Sequence, residues 1–290
     1  MYRIDDATAS TTLPTPETAG TEGYFSEGNP VTGTPATKVR GSWMNMIQEE
    51  LRAIVVAAGL TPSKTTYNQV LSAIKALVPA NAPGRLLNVQ PFATSGTYTP
   101  TAGVGTVIME VQGAGGGSGG APATGAGGFS GSPGAPSGTY AMVKLTAAQI
   151  GASQSVTIGS GGTAGPTGAG TGGTGGTTSV GSLVSCPGGV GSTSYGPTSS
   201  TVVVATAPSV SAAPTVNSGS VIISSQGNVG SPAVGTSAGG VISGPGGSSP
   251  INRGTNGPGA GGAGQSLGAS SSAIPGLVGG VGKVIFWEYA

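Results

Sequence analysis

The stretch "GAGGGSGGAPATGAGG", residues 113–128, has almost no side chain larger than a methyl group. Side chains carry most catalysis and most core packing, so whatever this run contributes comes from its backbone. Fixing its 16 residues in one conformation costs roughly 16–32 kcal/mol at about 1–2 kcal/mol per residue, with glycine at the expensive end. Almost no apolar burial offsets that cost. The run is ordered only where close backbone contact with neighbours supplies hydrogen bonds and packing, as polyproline II helices stacked through glycine faces do. Triplets beginning at Gly125, Gly128, Gly131 and Gly134 show a three-residue period that breaks at Ser137. Collagen needs a sustained Gly-X-Y repeat, so the expectation is loops or short polyproline II segments at one end of a β-sandwich.

Composition extends the question to the whole chain. Its 290 residues include 58 Gly and 22 Pro, with 7% charged, 4% aromatic and 36% hydrophobic residues and a net charge of +1. Disordered chains are normally rich in charge and poor in hydrophobics, so a nearly uncharged, moderately hydrophobic chain suits an ordered, glycine-dense architecture. Near-neutrality argues against nucleic acid, which needs clustered Lys and Arg. The start, "MYRIDDATASTT", lacks the basic flank and apolar run of a secretory signal, and no stretch has the length of a membrane span. The expectation is a chain folded in a cytoplasm, without membrane insertion. The single cysteine, Cys186, excludes an intrachain disulfide; without any His to activate it, it reads as a small buried hydrophobe. No metal site and no cofactor are expected.

The charges fall almost entirely in the first 85 residues, and after Glu110 no carboxylate side chain occurs until Glu288. Two regions of different physics meet near residues 79–92. The first opens with a Thr/Pro/Gly-rich arm, read as lying extended over a partner. "GSWMNMIQEELRAIVVAAGL" then places Met46, Ile47, Leu51, Ile54, Val55 and Ala58 on one helical stripe, with Ser42 as N-cap and Gly59 at the C-terminal cap. A second pattern at Tyr67, Val70, Leu71, Ile74, Leu77 and Val78 stops at Pro79, and the two helices read as a hairpin. It either buries its own stripes or serves docking and oligomerisation, for which Trp43, Met46, Ile47, Leu51, Ile54, Tyr67, Leu71 and Ile74 are the candidates. Glu49 and Glu50 on the polar face disfavour a membrane-surface helix.

From residue 92, short β-rich runs alternate with glycine runs. The first and last strong ones, Val107–Val111 and Val284–Tyr289, carry most of the large side chains and are expected to pair as the root of the domain. The stretch 196–219, "GPTSSTVVVATAPSVSAAPTVNSG", has no internal glycine and reads as a β-hairpin or protruding loop, the natural place to look for recognition.

"GYFSEGNPVTGTPATKVRGSWMNMIQEELRAIVVAAGLTPSKTTYNQVLSAI" resembles the N-terminal segment of tail fibre proteins from temperate, Mu-like and related tailed bacteriophages. The span from "GTYTPTAGVGTVIMEVQGAGGGSGG" through "VTIGSGG" and "GGTTSVG" to "GKVIFWEY" is similar to the glycine-rich terminal domain of such fibres. The resemblance implies a homotrimer whose N-terminal part attaches to a tail, baseplate or other fibre protein and whose C-terminal part recognises a bacterial surface receptor: polysaccharide, pilus or outer-membrane protein. No extended repetitive shaft separates the two parts, which suggests a short fibre or a distal subunit. The expected fold is an extended arm (1–40), a small α-helical hairpin for docking or trimerisation (41–79), a linker (80–91) and an all-β, glycine-rich, sandwich-like domain with polyproline II segments (92–290).

An enzyme is not expected. Glycoside hydrolysis commonly uses two carboxylates, of which residues 111–287 have none. Glu110 and Glu288 become neighbours if the framing strands pair, but each reads as structural, out of phase with its apolar neighbours. The glycine runs lack the GK[ST] of a phosphate loop. Binding by hydroxyls, amides and backbone groups remains, with Tyr195, Thr198, Ser199, Asn217, Asn252, Arg253 and Asn256 as receptor-contact candidates, strengthened by avidity when symmetry repeats them. The alternatives are a purely structural connector, or an ice-binding or coat-forming bundle, for which the Thr array in "TGAGTGGTGGTT" is too short.

Overall fold

The computed structural model describes residues 1–80, 84–199, 202–236, 240–251 and 254–290. The chain divides into two compact units, Met1–Pro83 and Gly84–Ala290.

In the first unit, α1 (Gly41–Ala57) and α2 (Gln69–Ala80) form the hairpin. Gly59, at φ +73°, follows the end of α1 as the cap pattern requires. Ser42 does not cap α1. Its hydroxyl donates instead to Glu17 Oε1 at 2.9 Å, because the arm passes over the helix start. The arm is seated on the chain's own hairpin. Arg3 makes a two-pronged ion pair with Glu49 at 2.6 and 2.7 Å, Lys64 pairs with Asp5 at 2.7 Å, and the Phe25 ring meets Trp43 edge-on at 5.0 Å. Pro79 falls within the last turn of α2, one residue before its end.

The second unit holds β1 (Leu86–Phe92), β2 (Gly96–Tyr98), β3 (Thr106–Gln112), β4 (Phe129–Ser132), β5 (Tyr140–Thr146), α3 (Ala147–Ile150), β6 (Gln154–Thr157), β7 (Thr178–Val180) and β8 (Val184–Cys186). It continues with β9 (Tyr195–Thr198), β10 (Val202–Ala205), β11 (Thr215–Val216), β12 (Ser220–Ser225), β13 (Ala233–Thr236), β14 (Val241–Ile242), β15 (Gln265–Leu267) and β16 (Lys283–Tyr289). The result is mostly β-sheet, as the composition and patterning led us to expect. Half of the stretch read as a linker, residues 86–91, supplies β1, which pairs antiparallel with β16 and so belongs to the domain.

Two antiparallel sheets, β1-β16-β3-β5-β12 and β11-β8-β7-β6-β2, face each other across the core. Period-two alternation sends Val107, Met109 and Val111 of β3, Val143 and Leu145 of β5, and Val284 and Phe286 of β16 inward, against Tyr98, Val156, Val180 and Val184 of the other sheet. The framing strands pair over their whole length, from Lys283 opposite Gln112 to Tyr289 opposite Thr106.

The glycine runs extend these strands into a bundle. Where β3 ends, residues 113–121 continue as an extended segment whose successive N–H groups point in three directions, repeating every third residue. Gly113 and Gly116 donate to Thr139 and Pro136; Ala114, Gly117 and Gly120 to Gly176, Gly173 and Gly170; Gly115, Ser118 and Ala121 to Gly280, Leu277 and Ile274, all at 2.8–3.2 Å. The carbonyls are taken in the same way: Ala114 and Gly117 accept from Gly189 and Ser192, Gly115 and Ser118 from Gly162 and Gly165, and Gly116 from Gly262. This is polyproline II periodicity, with every hydrogen bond made between segments instead of within them. Among the described residues the segments 133–139, 159–165, 170–176, 187–192, 227–231, 244–249, 259–264 and 274–282 join the same lattice.

Close approach requires glycine here. A Cβ on Gly115 would overlap the backbone carbonyl of Ala260, and one on Gly117 that of Thr163. Proline is tolerated where no N–H is needed, and Pro136 accepts from Gly116 within the lattice. We expect Gly115→Ala to destabilise the domain by about 3 kcal/mol or more, since neighbouring backbone cannot move aside. Gly125→Ala, with no heavy atom within 4 Å of the new methyl, should leave the thermal midpoint nearly unchanged. Equal midpoints for the two variants would refute the lattice.

Candidate functional site

Gly84 and Ala290 lie at the end of the sandwich remote from the bundle, where their backbones bond to one another at 3.1 Å. The order along the second unit is therefore root, sandwich, glycine bundle and tip. Among the described residues the tip consists of the connections that close the far end of the bundle: 122–132, 166–169, 193–199, 202–205, 232–236, 240–243 and 265–273. They fold into two three-stranded sheets, β15-β4-β9 and β10-β13-β14.

Tip loops are tied to one another. Thr124 exchanges backbone and hydroxyl hydrogen bonds with Ser271 at 3.0 and 2.9 Å, and Ser130 Oγ donates to the Pro122 carbonyl. Phe129 of β4 is buried between the two sheets; a Cβ on Gly235 of β13 would overlap its ring, so the sheets touch through glycine and Ala233. Tyr195 stands beside Phe129 with ring centroids 6.5 Å apart.

Of the receptor-contact candidates, the structure brings Tyr195, Thr198 and Ser199 to the tip. Tyr195 and Ser199 are exposed, and Thr198 is half-buried opposite Phe129 in the ladder. Asn217 belongs to the opposite end: its amide donates to the Ser182 carbonyl at 2.8 Å and its N–H to that of Leu183, fastening β11 to the turn before β8. Asn256 lies in the connection between segments 244–249 and 259–264 on the sandwich side of the bundle, and is exposed. Asn252 and Arg253 lie outside the described residues.

The glycine-free stretch is not a hairpin. β9 and β10 belong to the two tip sheets, after which the chain returns alongside the bundle, with Ser211 bonded to the Gly188 carbonyl, and ends as β11 paired with β8. Its Val and Thr residues need partners in three different sheets, which local pattern does not reveal. Sequence reasoning also missed Ile242 and Val234, whose short strands carry no distinguishing pattern.

Among the docking candidates, Trp43, Met46, Tyr67, Leu71 and Ile74 are exposed and Ile47, Leu51 and Ile54 half-buried; Val55 and Ala73 are the buried apolar residues of this unit among those described. Trp43 and Met46 line a groove of about 910 Å3 roofed by Leu13, Pro14 and Pro16 of the arm.

The two root carboxylates lie on opposite faces of the sheet. Glu110, with Ile108, points outward and accepts from Tyr140 Oη and Trp287 Nε1, both at 2.8 Å. Glu288 is in phase with Val284 and Phe286 and is fully buried, contrary to the alternation expected of it. Its carboxylate accepts from Tyr98 Oη at 2.7 Å, the Thr101 N–H at 3.0 Å and hydroxyl at 2.5 Å, and Gln90 Nε2 at 3.1 Å. Burial pushes its pKa up, but the hydrogen bonds from Thr101, Tyr98 and Gln90 outweigh that and hold it below 4.5. The same burial, with Glu288 as acceptor, raises the Tyr98 phenol well above its ordinary value. Cys186 is buried in the sandwich core, where desolvation pushes its thiol up to about 12. Among the described residues, no group of three or more His, Cys, Asp or Glu is placed to hold a metal ion, and no helix is long and apolar enough to cross a membrane.

No family model matches the chain. Part of it is similar to a protein of Escherichia coli (strain K12) described as "Uncharacterized protein StfP", with 42% identity over 78 residues. The match covers 27% of this chain and 35% of that protein, so the chain spans about a third of the length of the curated relative it matches.

A carboxylate with a depressed folded-state pKa contributes stability that is full above its unfolded value and is lost as pH falls through the folded one. The midpoint of the wild-type chain should therefore drop more steeply below pH 4.5 than that of Glu288→Gln. At pH 7 the variant should be less stable by about 1–3 kcal/mol, because the Thr101 hydroxyl loses its acceptor. Parallel pH curves would show that Glu288 does not anchor the root.

Proposed function

We propose that the chain is a homotrimeric tail fibre protein of a tailed bacteriophage, non-enzymatic, attached to the tail or to another fibre protein through residues 1–80 and contacting a host surface receptor through the tip of the glycine-rich domain. The observation that carries this reading is the axial order of the second unit. A lattice rigid in its backbone holds two small sheets at the end farthest from the chain's connection to the first unit. Loops on a rigid scaffold are where recognition resides. The resemblance of both regions to fibre segments points the same way.

Two apolar surfaces supply what self-association needs. Leu71, Ile74 and Met46 are exposed on the helices. The outer face of the first sheet carries Val89, Ile285, Trp287, Ile108, Met142 and Ile223 around Glu110 and Lys144, and is more apolar than an antiparallel sheet facing water ordinarily is. Tip contacts that are individually weak gain avidity from three-fold repetition.

Purified full-length protein should have the mass of a trimer, bind at least one member of a panel of bacterial strains, and block adsorption of the corresponding phage. A trimer that binds no strain and blocks no phage would leave a structural connector.

A further inference from the structure

The β10-β13-β14 sheet has two unlike faces. Ala205, Ala233 and Gly235 face inward over Phe129. In the register, Val204 stands opposite Val234 and Val234 opposite Ile242, while Val202 shares their side two residues along β10. That outward face is mainly aliphatic and open, with Thr236 beside Val202 at one end: Val202 is 62%, Val204 52% and Ile242 65% exposed. Single exposed aliphatics are ordinary, but a contiguous cross-strand group on a small sheet is not.

We propose that this face is the contact surface for an uncharged, apolar segment of a host surface protein, and that the receptor is therefore a protein rather than a glycan. The inference rests on the receptor-binding reading above. Charge argues for it: between Lys144 and Lys283 the described residues include no ionised side chain, so the described tip offers no ion pair to the phosphates and carboxylates of anionic surface polysaccharides. Side-chain chemistry argues the same way. Sugars are held by ring stacking and dense hydrogen bonding, whereas Val202, Val204, Val234 and Ile242 provide neither rings nor donors. Their natural complement is apolar side chains, which gain by leaving water together with them. Backbone geometry adds a means of alignment. β10 and β14 are the two edge strands of the sheet, able to accept an extended protein segment by strand addition while the aliphatic face receives its alternate side chains.

The test uses the full-length protein and a strain that it binds. Proteolytic shaving of the cells should abolish binding, and periodate oxidation of their glycans should leave it intact. Val204→Glu and Ile242→Glu, on side chains already in solvent, should each weaken binding about tenfold or more with mass and thermal midpoint unchanged, while Val204→Ile binds as the wild type. Binding that survives proteolysis and is lost to periodate would overturn the protein receptor while keeping recognition by the fibre. Glutamate variants that bind like the wild type would overturn this face as the contact. Failure to bind any strain would remove the receptor reading itself, and this inference with it.

Discussion

Hydrogen bonding of one extended backbone in three directions at once is the constraint on which the second unit depends. Residues 113–121 spend their donors on three neighbouring segments and their acceptors on others, so no single sheet plane contains them. Such a lattice brings backbones closer than a Cβ allows, and its glycines therefore occupy contact positions rather than flexible ones. The ordering entropy of glycine is offset by dense backbone hydrogen bonding, with few large side chains involved.

The sandwich and the bundle divide the labour. The sandwich supplies apolar burial, with Phe286 stacked on Tyr98 at 3.7 Å between ring centroids and Glu288 clamping β1, β2 and the loop after β2 to the last strand. It fixes the directions in which β3, β5, β7, β8, β12 and β16 enter or leave the lattice. The bundle transmits that order over its length to the tip without a conventional hydrophobic core.

The arm shows how local reading and tertiary packing part company. Its Thr/Pro/Gly composition correctly excludes helix, but composition says nothing about the bidentate Arg3–Glu49 pair or the Phe25–Trp43 contact that seat it on α1. Exposed ion pairs of this kind contribute little stability individually. They act as positioning contacts.

Sequence by itself determined the helical hairpin and the glycine at the end of α1, through local periodicity, and pointed to the pairing of the first and last strong strands through their large alternating side chains; the triplets read from Gly125 fall instead on the turn before β4 and on β4 itself, while the three-residue period runs through 113–121. Only the tertiary structure decided that Glu288 is buried, that the glycine-free stretch serves three sheets, and that Tyr195 and Asn217 lie at opposite ends of the domain. Those outcomes turn on which distant segments meet: Ser211 on Gly188, Asn217 on Ser182, Gly115 on Gly280. A glycine run carries no side-chain pattern that names its partner, so its neighbours are chosen by the closure of the whole lattice.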